Sequence, residues 1–415
     1  MKSRFLKQVL TEKSSHKTAK IIVLTGARQT GKTTLAKHCF PTYKYLSIED
    51  PVLRIQYKHL TAAQWHTFYP QAILDEVQKE PVLIESIKSV YDQYEDIRYL
   101  LLGSSQLLLL KKVKESLAGR CIIEEIMPLT LPEILTRSWT DTPQRSWYQQ
   151  FLVSGRIPGL LPSFSLDPLY ATRMQAFQYY LTFGGYPALV NEAMQDDERY
   201  EWLSRYVRTY LERDVRDLVD LRSLEPFVKI QKVTALLTAQ LVNYSQLAKE
   251  AGVTSKTAQR FLQYLGISYQ TVLLPPWFGN RMKRLVKSPK LHYLDPGVQK
   301  AILQKRGQLA GNEYESAVIA EIYKQTKVLH FHGSFYHLRT HDGTEVDLLL
   351  ETEKGFIAFE IKMTEHAGRK EARHIRKLPE ILNKPLLYGF VLSNDQEIKK
   401  IGSNILALPA AMFLT

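Results

Sequence analysis

The stretch GARQTGKTT, which begins at Gly26, constrains this chain more than any other, because it follows the pattern G-x-x-x-x-G-K-[ST] directly after a short apolar segment. Gly26 and Gly31 allow the backbone to turn its N–H groups inward around phosphates. Lys32 can reach the β- and γ-phosphates, and Thr33 can offer its hydroxyl to Mg²⁺. A helix that begins with Lys32, Thr33 and Thr34 would point its positive end at the anion. The stretch therefore predicts a site for ATP and Mg²⁺.

An apolar strand that ends in two acids is the second element that ATP hydrolysis requires. Residues 72–76 have this pattern, Ala-Ile-Leu-Asp-Glu. Asp75 is the candidate for the Mg²⁺ shell, and Glu76 is the candidate base that polarises the attacking water. Taken alone, such a strand end often marks only an exit into solvent. Its position downstream of the phosphate loop favours the catalytic interpretation.

The first 126 residues alternate short apolar strands with helical segments, which predicts a parallel sheet covered by helices on both faces. The predicted strands are 20–25, 43–48, 71–75, 97–102 and 121–126, and the predicted helices are 32–39, 51–67, 80–94 and 105–117. Ser104 follows the fourth strand at the carboxyl edge of the sheet, where α/β proteins bind ligands. It could meet the γ-phosphate or the attacking water, or it could only cap the next helix.

Arg120 lies just before the last predicted strand of this sheet. An arginine there could point out of the domain and stabilise transition-state charge in a neighbouring subunit's site, as arginine fingers do. That interpretation implies a homo-oligomer. The alternative is a surface arginine in a local salt bridge.

Composition bounds the class of protein and its partners. The chain has 415 residues, of which 45% are hydrophobic and 23% are charged, which predicts two to four domains and no membrane span. The two cysteines, Cys39 and Cys121, lack metal-like spacing, so we expect buried reduced thiols in a cytoplasmic protein. The net charge of +13 is concentrated, because residues 236–304 contain nine Lys or Arg against two acids. Such a segment suggests a polyanion partner, and we expect DNA.

Within this basic segment, the residues from Tyr244 to Leu262 have helix-turn-helix spacing. Small Ala248 permits close helix crossing, Gly252 supplies the turn, and Thr254 or Ser255 caps the second helix. The candidates for DNA contact on that helix are Lys256, Gln259, Arg260 and Gln263, and those in the following wing are Lys283, Arg284, Lys287 and Lys290. The pattern predicts a winged-helix domain, which either contacts DNA or serves only as a packing and signalling unit.

The last 110 residues contain a second chemical constellation. Two predicted strands, 344–351 and 355–362, place Asp347 on the first and both Glu360 and Lys362 on one face of the second. Asp347 and Glu360 could share a divalent cation, with Glu315 on the preceding helix as a further ligand. Lys362 could orient or activate a water for phosphodiester attack. A bare Glu-x-Lys pattern also forms cross-strand ion pairs.

These motifs together resemble one family. The phosphate loop, the strand end at 74–78, the segment Gly103-Ser104-Ser105 and residues 117–120 are similar to AAA+ ATPases of bacteria and archaea that carry a C-terminal domain long labelled as of unknown function. Residues 184–187 and 210–215 are also typical of that family, so the resemblance covers nearly the whole chain.

The resemblance implies two further properties. A helical bundle would form a lid over the nucleotide, from which Arg213 would sense phosphate unless Glu212, Arg213 and Asp214 form a structural ion-pair cluster. The C-terminal domain would share the Asp…Glu-x-Lys core of restriction-endonuclease-like folds.

We therefore expect an α/β chain of four parts: an AAA+ ATPase core with a P-loop and parallel sheet (1–169), a helical lid (170–235), a winged-helix domain (236–304) and a restriction-endonuclease-like α/β domain (305–415). ATP hydrolysis would drive or gate an action on DNA, with metal-dependent cleavage in the last domain. The alternative is an ATP-controlled switch for oligomerisation or partner binding, in which the nuclease-like domain is inactive.

Overall fold

The computed structural model describes residues 1–16, 19–103, 113, 115–157, 167–211, 224–279 and 288–415, with backbone only for Tyr210 and Leu211. Several predicted site residues lie outside these ranges: Ser104, Arg213, Lys283, Arg284 and Lys287.

Five parallel strands form the sheet of the N-terminal part: β1 (Ile21–Gly26), β2 (Lys44–Ser47), β3 (Gln71–Asp75), β4 (Arg98–Leu102) and β5 (Cys121–Ile126). Their order is β2-β3-β4-β1-β5, so β1, which leads into the phosphate loop, lies between β4 and β5. Apolar side chains are buried on both faces of the sheet, as a parallel sheet requires. The predicted parallel sheet is confirmed.

The helices around this sheet are α1 (Phe5–Ser14), α2 (Lys32–Cys39), α3 (Pro51–Lys58), α4 (Ala62–Phe68) and α5 (Val82–Gln93). The segment predicted as helical at 51–67 is two helices. Asp50 caps the first by accepting from two backbone N–H groups, and Thr61 caps the second. The helix predicted at 105–117 falls mostly outside the described residues.

The next helices are α6 (Leu131–Ile134), α7 (Trp147–Ser154), α8 (Tyr170–Phe183) and α9 (Asp196–Tyr206), and α9 continues into a π-helical turn, Val207–Leu211. The first three share a core with the C-terminal sheet; Phe151, for example, packs edge-on against the rings of Tyr388 and Phe390. Phe183 and Tyr186 instead join the core of the middle part. Packing therefore crosses the predicted boundary at residue 169, and the four predicted domain bounds stay a prediction.

The middle part consists of α10 (Glu225–Leu236), β6 (Gln240–Leu241), α11 (Tyr244–Ala251), α12 (Ser255–Ile267), β7 (Thr271–Leu274), β8 (Lys290–Tyr293) and α13 (Pro296–Ile302). The three strands form an antiparallel sheet in the order β6-β8-β7. Gly252 ends α11 with a φ of 67°, and the Thr254 hydroxyl accepts the backbone N–H of Thr257 at the start of α12. The turn and the cap are therefore those that the sequence predicts.

The C-terminal part is a second α/β unit. The long helix α14 (Gly311–Val328) precedes β9 (Ser334–Arg339), β10 (Glu345–Glu351), β11 (Phe356–Lys362), α15 (Leu378–Ile381), β12 (Leu386–Ser393), β13 (Lys399–Lys400), β14 (Ile405–Pro409) and α16 (Ala410–Leu414). The strand order is β13-β14-β12-β11-β10-β9. Since β11 pairs antiparallel with β10 and parallel with β12, the Glu360-x-Lys362 strand lies inside a mixed sheet.

The structure bears on two expectations from composition, one about membrane spans and one about the cysteines. No helix among the described residues is long and apolar enough to cross a membrane. Cys39 and Cys121 are both free thiols. We expected them to be buried, but both are only half-buried. Burial raises the pKa of the Cys39 thiol to about 11.

Candidate functional site

The phosphate loop connects the carboxyl end of β1 to the start of α2. Gly26 and Gly31 have φ angles of 149° and 89°, and Gln29 lies between them with a φ of 62°. A Cβ atom on Gly26 would lie 2.2 Å from the carbonyl oxygen of Ile126, because β1 and β5 run side by side at this point. The first glycine of the motif is thus required by close packing as well as by the turn.

Lys32 is 7% exposed, and its ammonium donates to the carbonyl oxygens of Gly26 and Ala27 at 2.9 and 2.7 Å. The positive charge therefore lies against the loop that is predicted to surround the phosphates. Because a charged acceptor binds an ammonium more strongly than a carbonyl does, a phosphate oxygen can replace these contacts. Thr34, the next residue but one, is exposed.

Asp75, at the end of β3, forms hydrogen bonds with side chains of α2 and β2. Its Oδ2 accepts hydrogen bonds from the hydroxyls of Thr33 and Tyr45 at 2.7 and 2.8 Å, and its Oδ1 accepts the backbone N–H of Glu76 at 3.0 Å. Burial, and then the charge of Asp75, raises the pKa of the Tyr45 hydroxyl, so this group remains a donor. Thr33 and Asp75 supply adjacent hard oxygen atoms, the kind of ligand that Mg²⁺ prefers. The residues present therefore fit a magnesium ion that accompanies a nucleotide.

Glu76 differs from Asp75 in conformation and exposure. Its φ is 57°, its side chain is half-buried, and its carboxylate accepts a hydrogen bond from the Gln78 amide. The left-handed turn ends β3 at the same edge of the sheet as the phosphate loop, since all five strands are parallel. The two acids of the strand end thus face different surroundings.

Arg120 forms a salt bridge with Asp92 of the same chain, which is the alternative to an arginine finger. Its Nε and Nη2 donate to the two carboxylate oxygens of Asp92 at 2.8 and 3.3 Å. Cys121, the next residue, pairs with Ile21 at the start of β1. Arg120 therefore lies at the amino edge of the sheet, about 20 Å from the phosphate-loop edge at a rise of 3.3 Å per residue. A contact with an ATP site would require the site of a neighbouring subunit.

Two tyrosines from later parts of the chain reach the phosphate loop, and sequence reasoning missed both. Tyr206, at the end of α9, donates to the carbonyl oxygen of Arg28 at 3.2 Å. Tyr269, just after α12, donates to Oγ1 of Thr25 at 3.2 Å. Burial, and then Glu125, raises the pKa of the Tyr269 hydroxyl. No motif or periodicity marks these contacts, which join residues 178 and 244 positions apart.

The candidates for DNA contact fall into two groups. On α12 the side chains of Lys256, Gln259 and Arg260 are exposed, while Ala258 and Phe261 are buried, as the predicted faces require.

Lys290, expected on the wing, is instead 4% exposed and faces the C-terminal part. The expectation that it points outward to meet phosphates is wrong, because β8 turns its first side chain into a pocket between the two parts.

The acids and the lysine predicted as a nuclease site in the C-terminal part meet in that pocket, which has a volume of about 500 Å³. The pocket is lined by Asp347 from β10, by Glu360 and Lys362 from β11 and by Glu315 from α14. The antiparallel register pairs Leu348 with Phe359, so the neighbouring residues Asp347 and Glu360 follow at the end of this ladder. Asp347 also accepts the backbone N–H of Ile361 at 2.8 Å, which fixes its carboxylate over the neighbouring strand.

Two ammonium groups lie between these acids. Lys290 is 2.7 Å from Glu315 and 3.5 Å from Asp347, and Lys362 is 2.7 Å from Glu360 and 3.5 Å from Asp347. Within the described ranges, no three His, Cys, Asp or Glu side chains are arranged to hold a metal ion. The acids have suitable oxygen atoms, but they are paired with lysines. A divalent cation therefore does not fit the pocket in this conformation.

The pKa values of two glutamates and two lysines in the pocket, Glu315, Glu360, Lys290 and Lys362, are all raised. Burial, and then the charge of Asp347, raises the pKa of both Glu315 and Glu360 to about 8. Burial lowers the pKa of the Lys290 and Lys362 ammonium groups, but the surrounding carboxylates outweigh it and both pKa values are raised. The lysines therefore stay charged near neutral pH, where the two glutamates titrate.

Comparison with protein families finds three matches. An AAA domain matches residues 18–135, a domain of unknown function (DUF8612) matches residues 174–309, and another domain of unknown function (DUF4143) matches residues 310–413. The phosphate loop and the Asp75–Glu76 strand end fall in the first match, and α12 falls in the second. Glu315, Asp347, Glu360 and Lys362 fall in the third, whereas Lys290 does not.

The chain also has relatives among uncharacterized proteins. An uncharacterized protein of Mycobacterium tuberculosis is 27% identical over 361 residues, which cover 83% of this chain and 71% of the relative. An uncharacterized protein of Methanocaldococcus jannaschii is 24% identical over 293 residues, which cover 66% of this chain and 60% of the relative.

Among solved structures, the Walker-type ATPase of Pyrococcus abyssi is similar with a TM-score of 0.41 and 16% identity, covering 72% of this chain and 94% of that one. The Aeropyrum pernix ORC1 protein in complex with DNA is similar with a TM-score of 0.30 and 12% identity, covering 72% and 90%.

Proposed function

We propose that the protein hydrolyses ATP at the phosphate loop and that its nucleotide state controls an action on DNA, because residues 18–135 match an AAA domain and residues 310–413 match a DUF4143 domain. The observation that carries the first half is the 2.7 Å hydrogen bond between Thr33 and Asp75. It joins the loop to the acidic strand end, which are the two elements that phosphoryl transfer from ATP needs side by side.

Each residue of this site has a role in the proposed reaction. The backbone between Gly26 and Gly31 surrounds the phosphates, and Lys32 binds the β- and γ-phosphates. Thr33 and Asp75 hold Mg²⁺, which supplies neutralisation of phosphate charge when it is bound. Glu76 accepts a hydrogen bond from the attacking water and polarises it. Additional contacts to the nucleotide are proposed for Thr34, Ser104 and Arg213.

Glu76→Gln tests the proposed base, because the amide keeps the size of the side chain but not its basicity. We expect ATP turnover to fall by about 10²-fold or more, the range for loss of a general base, while ATP binding persists. Glu85→Gln, on the exposed side of α5, is the matched control and should turn over ATP like the unmodified protein. Unchanged turnover of Glu76→Gln would remove Glu76 from the mechanism.

Arg120 is proposed to act between subunits. Lys32→Ala retains Arg120 but has a defective loop, whereas Arg120→Ala retains the loop but lacks the arginine. If Arg120 completes a neighbour's site, mixing the two inactive variants should restore part of the ATP turnover. Arg120→Ala with full activity would leave only its salt bridge with Asp92.

DNA is the proposed partner of the middle part, whose helix–strand–helix–helix–strand–strand order is the one that a winged-helix domain has. Support comes from the excess of basic residues in 236–304 and from the exposed Lys256 and Arg260 on one face of α12. Replacing both by alanine should weaken DNA binding and reduce the slope of log affinity against log salt by about 2, since each lost phosphate contact contributes about 0.9. The control with the same charge change is Lys44→Ala with Lys58→Ala, two exposed residues of the AAA domain.

An ATP-controlled switch is the second candidate function. It is favoured by the hydrogen bonds of Tyr206 and Tyr269 to the phosphate loop, because they give two later segments of the chain direct access to the nucleotide site. In that case ATP would change oligomerisation or partner binding and no DNA would be cut. Absence of DNA binding at low salt, together with an ATP-dependent change in molecular mass, would favour the switch.

Metal-dependent DNA cleavage is proposed for the C-terminal pocket. The observation that favours it is the meeting of Asp347, Glu360 and Lys362, with Glu315, in one pocket. In this conformation two lysines pair with the acids, and a metal ion does not fit the pocket. The test is plasmid nicking in Mg²⁺ or Mn²⁺, which Asp347→Ala should abolish. Nicking that survives this substitution would come from another site or a contaminant.

A further inference from the structure

The nuclease role proposed for the acidic pocket does not explain why Lys290 lies in it. The Asp…Glu-x-Lys pattern already supplies a lysine, Lys362, whose side chain is 41% exposed. Lys290 is a second one, 5% exposed, and it comes from β8 in the middle part and not from the sheet that carries the acids. Its ammonium is 2.7 Å from Glu315 and 3.5 Å from Asp347.

We propose that Lys290 is an internal cation that occupies the position of a divalent metal ion between Glu315 and Asp347, and that metal binding requires it to withdraw. The inference rests on the nuclease proposal for the identity of the site, but it makes a separate claim about what fills that site. Asp347 and Glu360 are buried and the Glu315 side chain is 14% exposed, so the ionised forms of these acids need positive charge nearby, because burying unpaired charge is costly. Two lysines supply it here, and a metal ion would supply it in their place.

The backbone offers a route for such a withdrawal. Lys290 opens β8, where it pairs with Leu241 of β6 and Leu274 of β7. The segment after β7 is joined to β9 by the backbone N–H of Trp277, which donates to the carbonyl oxygen of His337 at 2.7 Å. A shift of the middle part against the C-terminal part would break this hydrogen bond and move the ammonium out of the pocket.

The same strands lead to the proposed DNA and nucleotide contacts. Leu294, which follows β8, donates its backbone N–H to the carbonyl oxygen of Gln270, and the preceding residue, Tyr269, contacts Thr25 beside the phosphate loop. These contacts connect the phosphate loop and the end of α12 to β8, the strand that carries Lys290.

The test is Mn²⁺ binding to the nucleotide-free, full-length protein, measured by the electron paramagnetic resonance signal of free Mn²⁺. Lys290→Met keeps the unbranched stem but removes the charge. We expect it to gain a Mn²⁺ site about tenfold tighter or more than in the unmodified protein, a change typical of groups that neighbour a metal ligand. Adding Asp347→Asn should remove the gained site, which distinguishes it from Mn²⁺ at the phosphate loop.

Three further variants control for charge and folding. Lys362→Met removes the more exposed lysine and should give a smaller gain, because that ammonium can already turn toward water. Lys290→Arg keeps the charge and should bind Mn²⁺ as weakly as the unmodified protein. Lys290→Gln repeats the test with a polar side chain in case the methionine variant does not fold.

The outcomes separate the two proposals. A gained site that Asp347→Asn removes supports the internal cation even if no plasmid is nicked, a result that would contradict only the nuclease. Equal Mn²⁺ affinity in the unmodified protein and in Lys290→Met, lost with Asp347→Asn, overturns the internal cation and leaves the nuclease. No Mn²⁺ site in folded Lys290→Met or Lys290→Gln overturns both.

Discussion

The hydroxyl of Tyr269 donates a hydrogen bond of 3.2 Å to the side-chain oxygen of Thr25. Thr25 precedes the first glycine of the phosphate loop, and Tyr269 follows α12, the helix proposed to face DNA, by two residues. Tyr269 is 5% exposed and has a left-handed φ of 61°. The contact therefore joins the phosphate loop to the proposed DNA-binding helix through one buried side chain.

Tyr269→Phe should weaken this connection, because it keeps the ring and removes only the donor, worth about 1 kcal/mol. We expect the difference in DNA affinity between the ADP state and a non-hydrolysable ATP state to shrink, with little change in ATP turnover. The measurement is DNA binding by fluorescence anisotropy in both states. Tyr264→Phe, on α12 itself, is the control. An undiminished nucleotide effect in Tyr269→Phe would show that the contact does not transmit the nucleotide state.

Tyr45→Phe addresses the support of Asp75. The hydroxyl of Tyr45 is one of two side-chain donors to Oδ2 of Asp75 among the described contacts, and loss of such a partner typically costs about 10- to 100-fold in metal affinity or activity. We expect a loss of this size in the Mg²⁺ dependence of ATP turnover. Tyr43→Phe, which removes a hydroxyl from a half-buried tyrosine two residues earlier, should have no such effect. A normal Mg²⁺ requirement in Tyr45→Phe would contradict the supporting role.

The acidic pocket predicts a pH dependence of stability. Because the pKa of Glu360 is raised from 4.5 to about 8 in the folded protein, the folded state binds more protons than the unfolded state between these values. The free energy of unfolding should therefore fall as pH rises from about 4.5 to 8. Glu360→Gln should make this fall smaller in urea unfolding at pH 5 and pH 8. The exposed control Glu380→Gln should not, and an identical fall in both variants would contradict the assignment.

A buried ion pair joins α14 to the AAA domain. Lys324 and Glu321 are both fully buried and 2.8 Å apart; Lys324 also donates to the carbonyl oxygen of Leu129, and Glu321 accepts the N–H of Leu131. Lys324→Met should destabilise the protein by about 3–5 kcal/mol, because it leaves a buried charge without its partner.

Adding Glu321→Gln to that variant should restore part of the stability, since no unpaired buried charge then remains. The measurement is urea unfolding, with Lys327→Met on the exposed side of the same helix as the control. A loss under about 1 kcal/mol in Lys324→Met would show that the pair contributes no more than a surface one.

The sequence predicts those helix and strand bounds, turns and caps that depend on local residue patterns. The bounds of β3, β5 and α2 follow from apolar periodicity and from the loop motif, and Gly252 and Thr254 mark the turn and the cap of the helix pair. Glu360 and Lys362 could be placed on one face of their strand because period-two alternation fixes which face of a strand a side chain occupies.

The contacts that the sequence did not predict are those between distant segments. Lys290 lies 57 residues before Asp347, in what looks like a basic wing, and its burial depends on how two sheets meet. Tyr269 and Tyr206 reach the loop over still longer separations. Such contacts are set by tertiary packing, for which a single sequence has no periodic signal.

ATP turnover of Lys32→Ala tests the central claim most directly. Lys32 is the one side chain of the loop motif proposed to bind the β- and γ-phosphates, and its ammonium already lies against the loop at Gly26 and Ala27. The steady-state release of phosphate should be abolished in Lys32→Ala and retained in Lys44→Ala, an exposed lysine on β2. Turnover in Lys32→Ala equal to that of the unmodified protein would contradict hydrolysis at this loop.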